Sequence, residues 1–264
     1  MNFNDAVMTI PEQLSQPLTV PEHWGQGRAT FGGLVAALMY QRIALQVAAD
    51  RPVRALLLSF VAPVAPGAMD VRVQVLREGK AASQVQATAL QGDQVCAVML
   101  ASFAGERESA VRVEPDDAPP FSAPDEVQAF PFIPGLTPDF TRYFDYRYTL
   151  GKMPFMGSTQ KVMGGWIRLR EASTQAISVA QILALLDAWP PATFSLLKKP
   201  ASGSSLTWNI SFVNLPDDCS ASDWWQYLAD IQSSANGYSH IDSRLWDKHG
   251  KVAVISRQTV SVFG

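Results

Sequence analysis

The chain has 264 residues, 47% of them hydrophobic and 17% charged, with a formal net charge of −3. That balance supports a substantial buried core, and the length fits one large domain or two of about 130 residues. No dense Lys/Arg block occurs, which excludes nucleic acid as the default partner.

Along the chain, the opening residues Met1-Asn2-Phe3-Asn4-Asp5 lack a basic stretch followed by an apolar core, so no signal peptide is expected. Gly32-Gly33 opens an Ala-, Leu- and Met-rich segment predicted to be helical to about residue 49 and apolar on nearly all sides until Gln41. Its longest apolar run, near residues 34–40, is far short of the roughly 20 residues a membrane span needs. Strands are predicted over residues 54–62, around Val71, Val73 and Val75, around Val85, Ala87 and Ala89, and over 95–103, with turns at Glu78-Gly79-Lys80 and Gln91-Gly92-Asp93. One buried helix followed by an antiparallel meander is an α+β pattern.

From Gly105 to about Phe140 the texture changes. Seven prolines (Pro115, Pro119, Pro120, Pro124, Pro131, Pro134 and Pro138) exclude regular helix or sheet interior, and the segment reads as a linker. The expected units are therefore residues 1–105, a connector over 106–140, and residues 141–264. The second half repeats the first in outline. A strand is predicted at 166–170, and Ser178-Val179-Ala180-Gln181 has the form of a capping box opening a short apolar helix over 179–186. Strands follow over 206–213, 224–232, 238–247 and 252–263. Ser59-Phe60-Val61 recurs as Ser211-Phe212-Val213, and Ser102-Phe103-Ala104-Gly105 as Ser261-Val262-Phe263-Gly264, which points to duplication.

The motif search is mostly negative. There is no Gly-x-Ser-x-Gly elbow and no phosphate-binding loop, and Gly25-Gln26-Gly27-Arg28-Ala29-Thr30 fails as a dinucleotide fingerprint because position six is Thr30. His23, His240 and His249 lack metal-ligand spacing, so no metal is expected. Two cysteines, Cys96 and Cys219, form no disulfide framework, and a reducing, cytoplasmic setting is expected.

Phe31-Gly32-Gly33-Leu34-Val35-Ala36-Ala37, Leu58-Ser59-Phe60-Val61-Ala62-Pro63 and Val75-Leu76-Arg77-Glu78-Gly79-Lys80 together resemble the acyl-CoA thioesterase II family. The resemblance runs from about Trp24 to Gly264 and implies a double hotdog: two units in one chain, each a long helix wrapped by an antiparallel sheet. It also implies hydrolysis of acyl-CoA by a water that an Asp on the second helix, a Thr or Ser on the next strand and a Gln on the last strand hold, with no cofactor. Asp187, Thr207 and Gln258 match those positions, and a homodimer is compatible with the family. Counting back from Phe212 and Pro216 instead puts Leu206 in the hydroxyl position; a one-residue slip turns a strand side chain to the other face. Gly32 and Gly33 are expected to let a thioester carbonyl approach backbone N–H groups at a helix N-terminus. Each residue has a plainer role open to it: Asp187 as a surface helix end, Gln258 as an outward strand residue, the glycines as a turn. Trp189, Phe194, Trp208 and Met39 could line an acyl tunnel or simply the core, and Lys198-Lys199 could meet CoA phosphates or only water. Two other functions stay open, a non-catalytic acyl-CoA binder and a hotdog dehydratase or hydratase. The latter needs a His near the helices, where the sequence has none.

Overall fold

The computed structural model describes residues 2–8, 10, 11 and 13–263; Met1 and Gly264, which the sequence analysis used, lie outside the described residues. In chain order the elements are α1 (Phe3–Met8), β1 (Leu18–Val20), β2 (Gly25–Gln26), β3 (Ala29–Thr30), α2 (Gly32–Ala44), β4 (Val53–Phe60), β5 (Gly67–Glu78), β6 (Ala82–Gln91) and β7 (Gln94–Ala104). After the proline-rich segment come β8 (Phe144–Leu150), β9 (Val162–Leu169), α3 (Val179–Asp187), β10 (Ser202–Phe212), β11 (Trp225–Ala235), β12 (Tyr238–Trp246) and β13 (Val252–Phe263). Eleven strands make one antiparallel sheet in the order β1-β5-β6-β7-β4-β10-β13-β12-β11-β9-β8, and β2 and β3 form a separate hairpin.

That order is symmetric about its middle. β4, β7, β6 and β5 run outward on one side, and β10, β13, β12 and β11 run outward on the other. The two units join edge to edge through β4 and β10, where Ser59 faces Thr207 and Ala55 faces Ser211. The chain leaves the two central strands in the same way: Val61 and Ala62 both donate to the Cys96 carbonyl, at 2.8 and 3.0 Å, and Val213 and Asn214 both donate to the Ala253 carbonyl, at 2.9 and 3.2 Å. This is the expected double hotdog, with α2 and α3 packed on one face of the sheet.

The pairing also corrects one expectation. Ser59 faces Val98 and Ser211 faces Ile255, so Ser102 corresponds to Thr259 rather than to Ser261. The Ser59 and Ser211 match is in register; the match of residues 102–105 to 261–264 falls on equivalent strands two residues out of step.

α2 forms because Ala, Leu and Met dominate it, and nine of its residues are buried. The sheet face beneath it carries small buried residues, among them Ala87, Ala89, Ala97 and Ala101, that let the helix lie close. Each fully buried Leu or Ile of α2 contributes about 1.5–3 kcal/mol over exposure. The helix stops at Ala44, short of the expected residue 49. Arg42, on its last turn, is fully buried and donates to the carbonyls of Pro11, Gln13 and Gln16, which holds the N-terminal segment against the helix.

The proline-rich segment is not a free tether. Trp166, Gln226 and Trp246 donate side-chain N–H groups to the carbonyls of Ser122, Pro119 and Asp116, laying it along the second unit. At its end Phe140 stacks on Phe31 with centroids 4.2 Å apart, and Tyr143 stacks on Trp24 at 4.1 Å. Those stacks fix the residues just before α2.

Candidate active site

The start of α2 and the end of α3 meet, and the meeting point is built from glycine. A Cβ on Gly32 would lie 2.9 Å from Asp187 Oδ2, and one on Gly33 would lie 2.5 Å from the Phe31 ring and 3.1 Å from Asp187 Cβ. All three distances are tighter than ordinary contact, so the two missing side chains make room for the Asp187 carboxyl and for the ring that fixes the helix start. The expected role for the glycines was access for a substrate carbonyl; what they directly admit is Asp187.

Asp187 is the last residue of α3, and Pro190-Pro191 prevents the helix from continuing. Its Oδ1 accepts a hydrogen bond from Gln258 Nε2 at 2.8 Å, so the structure brings these two residues together across 71 positions of sequence. Beneath them lies an aromatic floor. Trp189 stacks on Tyr227 at 5.0 Å and meets Tyr146 and Tyr148 edge-on at 5.8 and 4.8 Å. Burial in that apolar setting lifts the Asp187 carboxyl from its ordinary 3.8 to about 7, while hydrogen bonds from Gln258 and the Gly33 backbone N–H pull it down. A helix C-terminus disfavours the anion as well, whereas the N-terminus of α2 favours it.

Gln258 reaches Asp187 because its strand partner Trp208 and that residue's other neighbour Leu58 are both buried on the helix side of the sheet. Thr207 sits one residue away and faces the other side, opposite Ser59 and Thr259, where it is exposed. Of the expected trio, Asp187 and Gln258 converge and Thr207 lies on the opposite face of the sheet. Trp208 points to the helix side beside Gln258, so alternation turns Thr207 outward, and a bulge at Leu206, between Ser205 paired to Val260 and Thr207 paired to Thr259, returns Ser205 to the Gln258 face.

Ser205 and Leu206 instead line a cavity of about 320 Å³ together with Gly32, Asp187 and Gln258. Two buried polar atoms on residues of its wall, Thr30 Oγ1 and Trp189 Nε1, have no hydrogen-bond partner among the described residues. Buried polar groups are normally paired, so these suit a bound polar group. Sequence reasoning missed Thr30; its one signal is its place two residues before Gly32. Trp189 and Phe194 do line cavities, Trp208 and Met39 are fully buried in the core, and Lys198 and Lys199 are exposed.

One side-chain group outside the cavity has metal-ligand types. Asp218, Cys219 and His249 place their ligand atoms within 4.8 Å of one another. Burial pushes the Cys219 thiol up to about 11, and the Lys248 ammonium donates to the Asp218 carbonyl at 2.6 Å, so a proton and a cation already occupy the neighbourhood. Among the described residues no helix is long and apolar enough to cross a membrane.

Comparison with known families and structures agrees with this fold. The acyl-CoA thioesterase N-terminal domain family matches residues 20–104, and the acyl-CoA thioesterase C-terminal domain family matches residues 115–262. A conserved hot dog fold protein of unknown function from Alicyclobacillus acidocaldarius superposes with a TM-score of 0.84 at 19% identity, covering 99% of this chain and 98% of that one. The tesB protein of Mycobacterium avium subsp. paratuberculosis gives 0.79 at 15% identity over 99% and 98% of the two chains. Acyl-CoA thioesterase II TesB2 from Mycobacterium marinum gives 0.73 at 16% identity, again over 99% and 98%. At these identities the likeness is one of fold. No curated protein matches the sequence.

Proposed function

Because the chain belongs to the acyl-CoA thioesterase family and its activity in general terms is thioester hydrolysis, we propose that it hydrolyses a fatty or related acyl-CoA with Asp187 as general base. The carrying observation is a carboxyl whose pKa is lifted to about 7, bonded to Gln258 and seated at a glycine helix start inside a cavity. A base poised near neutral pH combines a useful ionised fraction with real basicity.

In this account Asp187 takes a proton from a water, and that water attacks the thioester carbon. Gln258 keeps the carboxylate oriented through its amide N–H. The oxyanion meets the Gly32 N–H at the N-terminus of α2, since the Gly33 N–H is held by Asp187 and those of Leu34 and Val35 by the Phe31 carbonyl. An oxyanion donor contributes about 2.7–4 kcal/mol and general-base help about 10²–10⁴ in rate. The thiolate of CoA leaves without a strong acid, because a thiol is far more acidic than an alcohol. Ser205 takes the hydroxyl position vacated by Thr207, since it shares the cavity with Asp187 and Gln258. The site needs both proposed units: 1–105 supplies the glycines, 141–264 the carboxylate and amide, and 106–140 connects them.

The test is a panel of acyl-CoAs with a reagent for free thiol. Thiol release by the parent protein, unchanged in Thr207→Ala and lowered in Ser205→Ala, supports the account. Binding of acyl-CoA with no thiol release would make the protein a carrier, and hydration of a 2-enoyl-CoA would make it a hydratase.

A further inference from the structure

A second cavity, of about 760 Å³, continues from the first, with Phe194 and Gly203 in the walls of both. Seven of its 22 lining residues are aromatic, among them Phe130, Phe140, Tyr146, Tyr148 and Phe155, and its one charged lining residue is Arg28. The phenol of Tyr146 donates to the Ala188 carbonyl at 3.1 Å, and burial pushes both tyrosine hydroxyls to higher pKa, so the tyrosines bring no charge to the cavity at neutral pH.

Phe194 stands at the junction, and its position is doubly fixed. On one side it lies against Gly203, where a Cβ would come 2.7 Å from the Phe194 ring. On the other it meets Phe155, with ring centroids 5.3 Å apart. Phe155 has a φ of 67°, a left-handed conformation that a bulky side chain rarely adopts. It is held there by a strap of backbone hydrogen bonds: Phe155 to the Phe194 carbonyl at 2.7 Å, Gly157 to that of Leu197 at 2.9 Å, and Ser158 to that of Ser195 at 2.7 Å. Backbone strain that its surroundings over-determine is concentrated at functional positions. Here it braces the Phe194 ring at the boundary of the two cavities, whose walls also share Gln26, Ala29, Pro63, Gly203, Ser204 and Phe263.

We propose that the substrate's acyl chain passes Phe194 into the larger cavity, and that the Phe194 ring, seated on Gly203 and braced by Phe155, sets which chain lengths fit. The inference rests on the thioesterase reading for its ligand class. A methylene gained or lost in such a pocket changes discrimination by about tenfold or more. Phe194→Ala opens the passage, and Gly203→Ala drives the ring across it. The double variant removes the ring that the new methyl would displace, so the two effects should couple rather than add.

The experiment measures kcat/KM for dodecanoyl-CoA relative to butanoyl-CoA, and in parallel the affinities of the non-hydrolysable dodecyl and butyl CoA thioethers. Phe194→Ala should raise the long-to-short ratio by about tenfold, Gly203→Ala should lower it by a similar factor, and the double variant should return to the Phe194→Ala value. A thermal melt establishes that each variant folds. Turnover with ratios unchanged in both single variants overturns the gate. Thioether binding that follows the predicted ratios in a protein without turnover would refute hydrolysis and leave the gate standing.

Discussion

The two helices begin in opposite ways. At the start of α3 the backbone N–H groups are answered locally: the Ser178 side chain accepts from Gln181 N–H, and the Gln181 side chain accepts from Ser178 N–H. At the start of α2 the cap is Phe31, which makes no side-chain capping bond, and the next two residues are glycines. The equivalent strands differ in the same sense, since Ala101 of β7 occupies the position that Gln258 has in β13. One unit thus offers an open helix start, and the other closes its own and supplies the carboxylate and amide that face the open one. In the proposed site the two halves of a duplicated fold have divided the parts.

The sharpest way to break this comparison is to remove the charge. Asp187→Asn keeps the shape and should lower kcat by about 10²–10⁴ with KM nearly unchanged. The same variant has a stability signature. The parent's folded carboxyl ionises near 7 and the unfolded one near 3.8, so stability present below about pH 4 is lost as pH rises to about 7. Asp187→Asn lacks that loss, and its stability relative to the parent should climb across that range in denaturant titrations.

Filling the open helix start comes next. Gly33→Ala places a methyl within the Phe31 ring's space and against Asp187, and overpacking of that kind costs about 1–3 kcal/mol. Its melting temperature and kcat should fall together. Gln258→Ala removes a hydrogen bond that favours the ionised carboxyl, so the pH–rate midpoint should move above 7 while kcat falls by about tenfold. Ser178→Ala is the control on the closed helix: it should cost about 0.5–2 kcal/mol of stability and leave kcat unchanged.

Much of this was legible in the sequence where the cause is local. The Ser178 and Gln181 box depends on four consecutive residues, and the alternation of Val71, Val73 and Val75 or of Val85, Ala87 and Ala89 reports a half-buried strand directly. Asp187 and Gln258 were legible through family resemblance, not through spacing. Counting back from Phe212 turns Thr207 away from Gln258, as the strand pairing does, whereas the bulge at Leu206 that returns Ser205 to that face is set by pairing with β13 and is not marked in the peptide. β8 went unread because Phe144-Asp145-Tyr146-Arg147-Tyr148 follows the prolines with aromatic and charged residues intermixed, so its identity as an edge strand comes from β9. Gly32 and Gly33 are legible as a helix start, while the close packing of the Asp187 carboxyl against them is set by the fold, since that residue is far away in sequence.

The central claim is that a half-buried carboxyl near neutrality drives thioester hydrolysis. The pH dependence of kcat/KM on a saturated acyl-CoA tests it most directly, because that profile reports ionisations of the free protein. The account predicts a rate that rises with pH and levels off above a midpoint of about 7, the value burial gives Asp187, with this rise absent from the residual activity of Asp187→Asn. A profile flat from about pH 5 to about pH 9, or the same midpoint retained in Asp187→Asn, would place the base elsewhere.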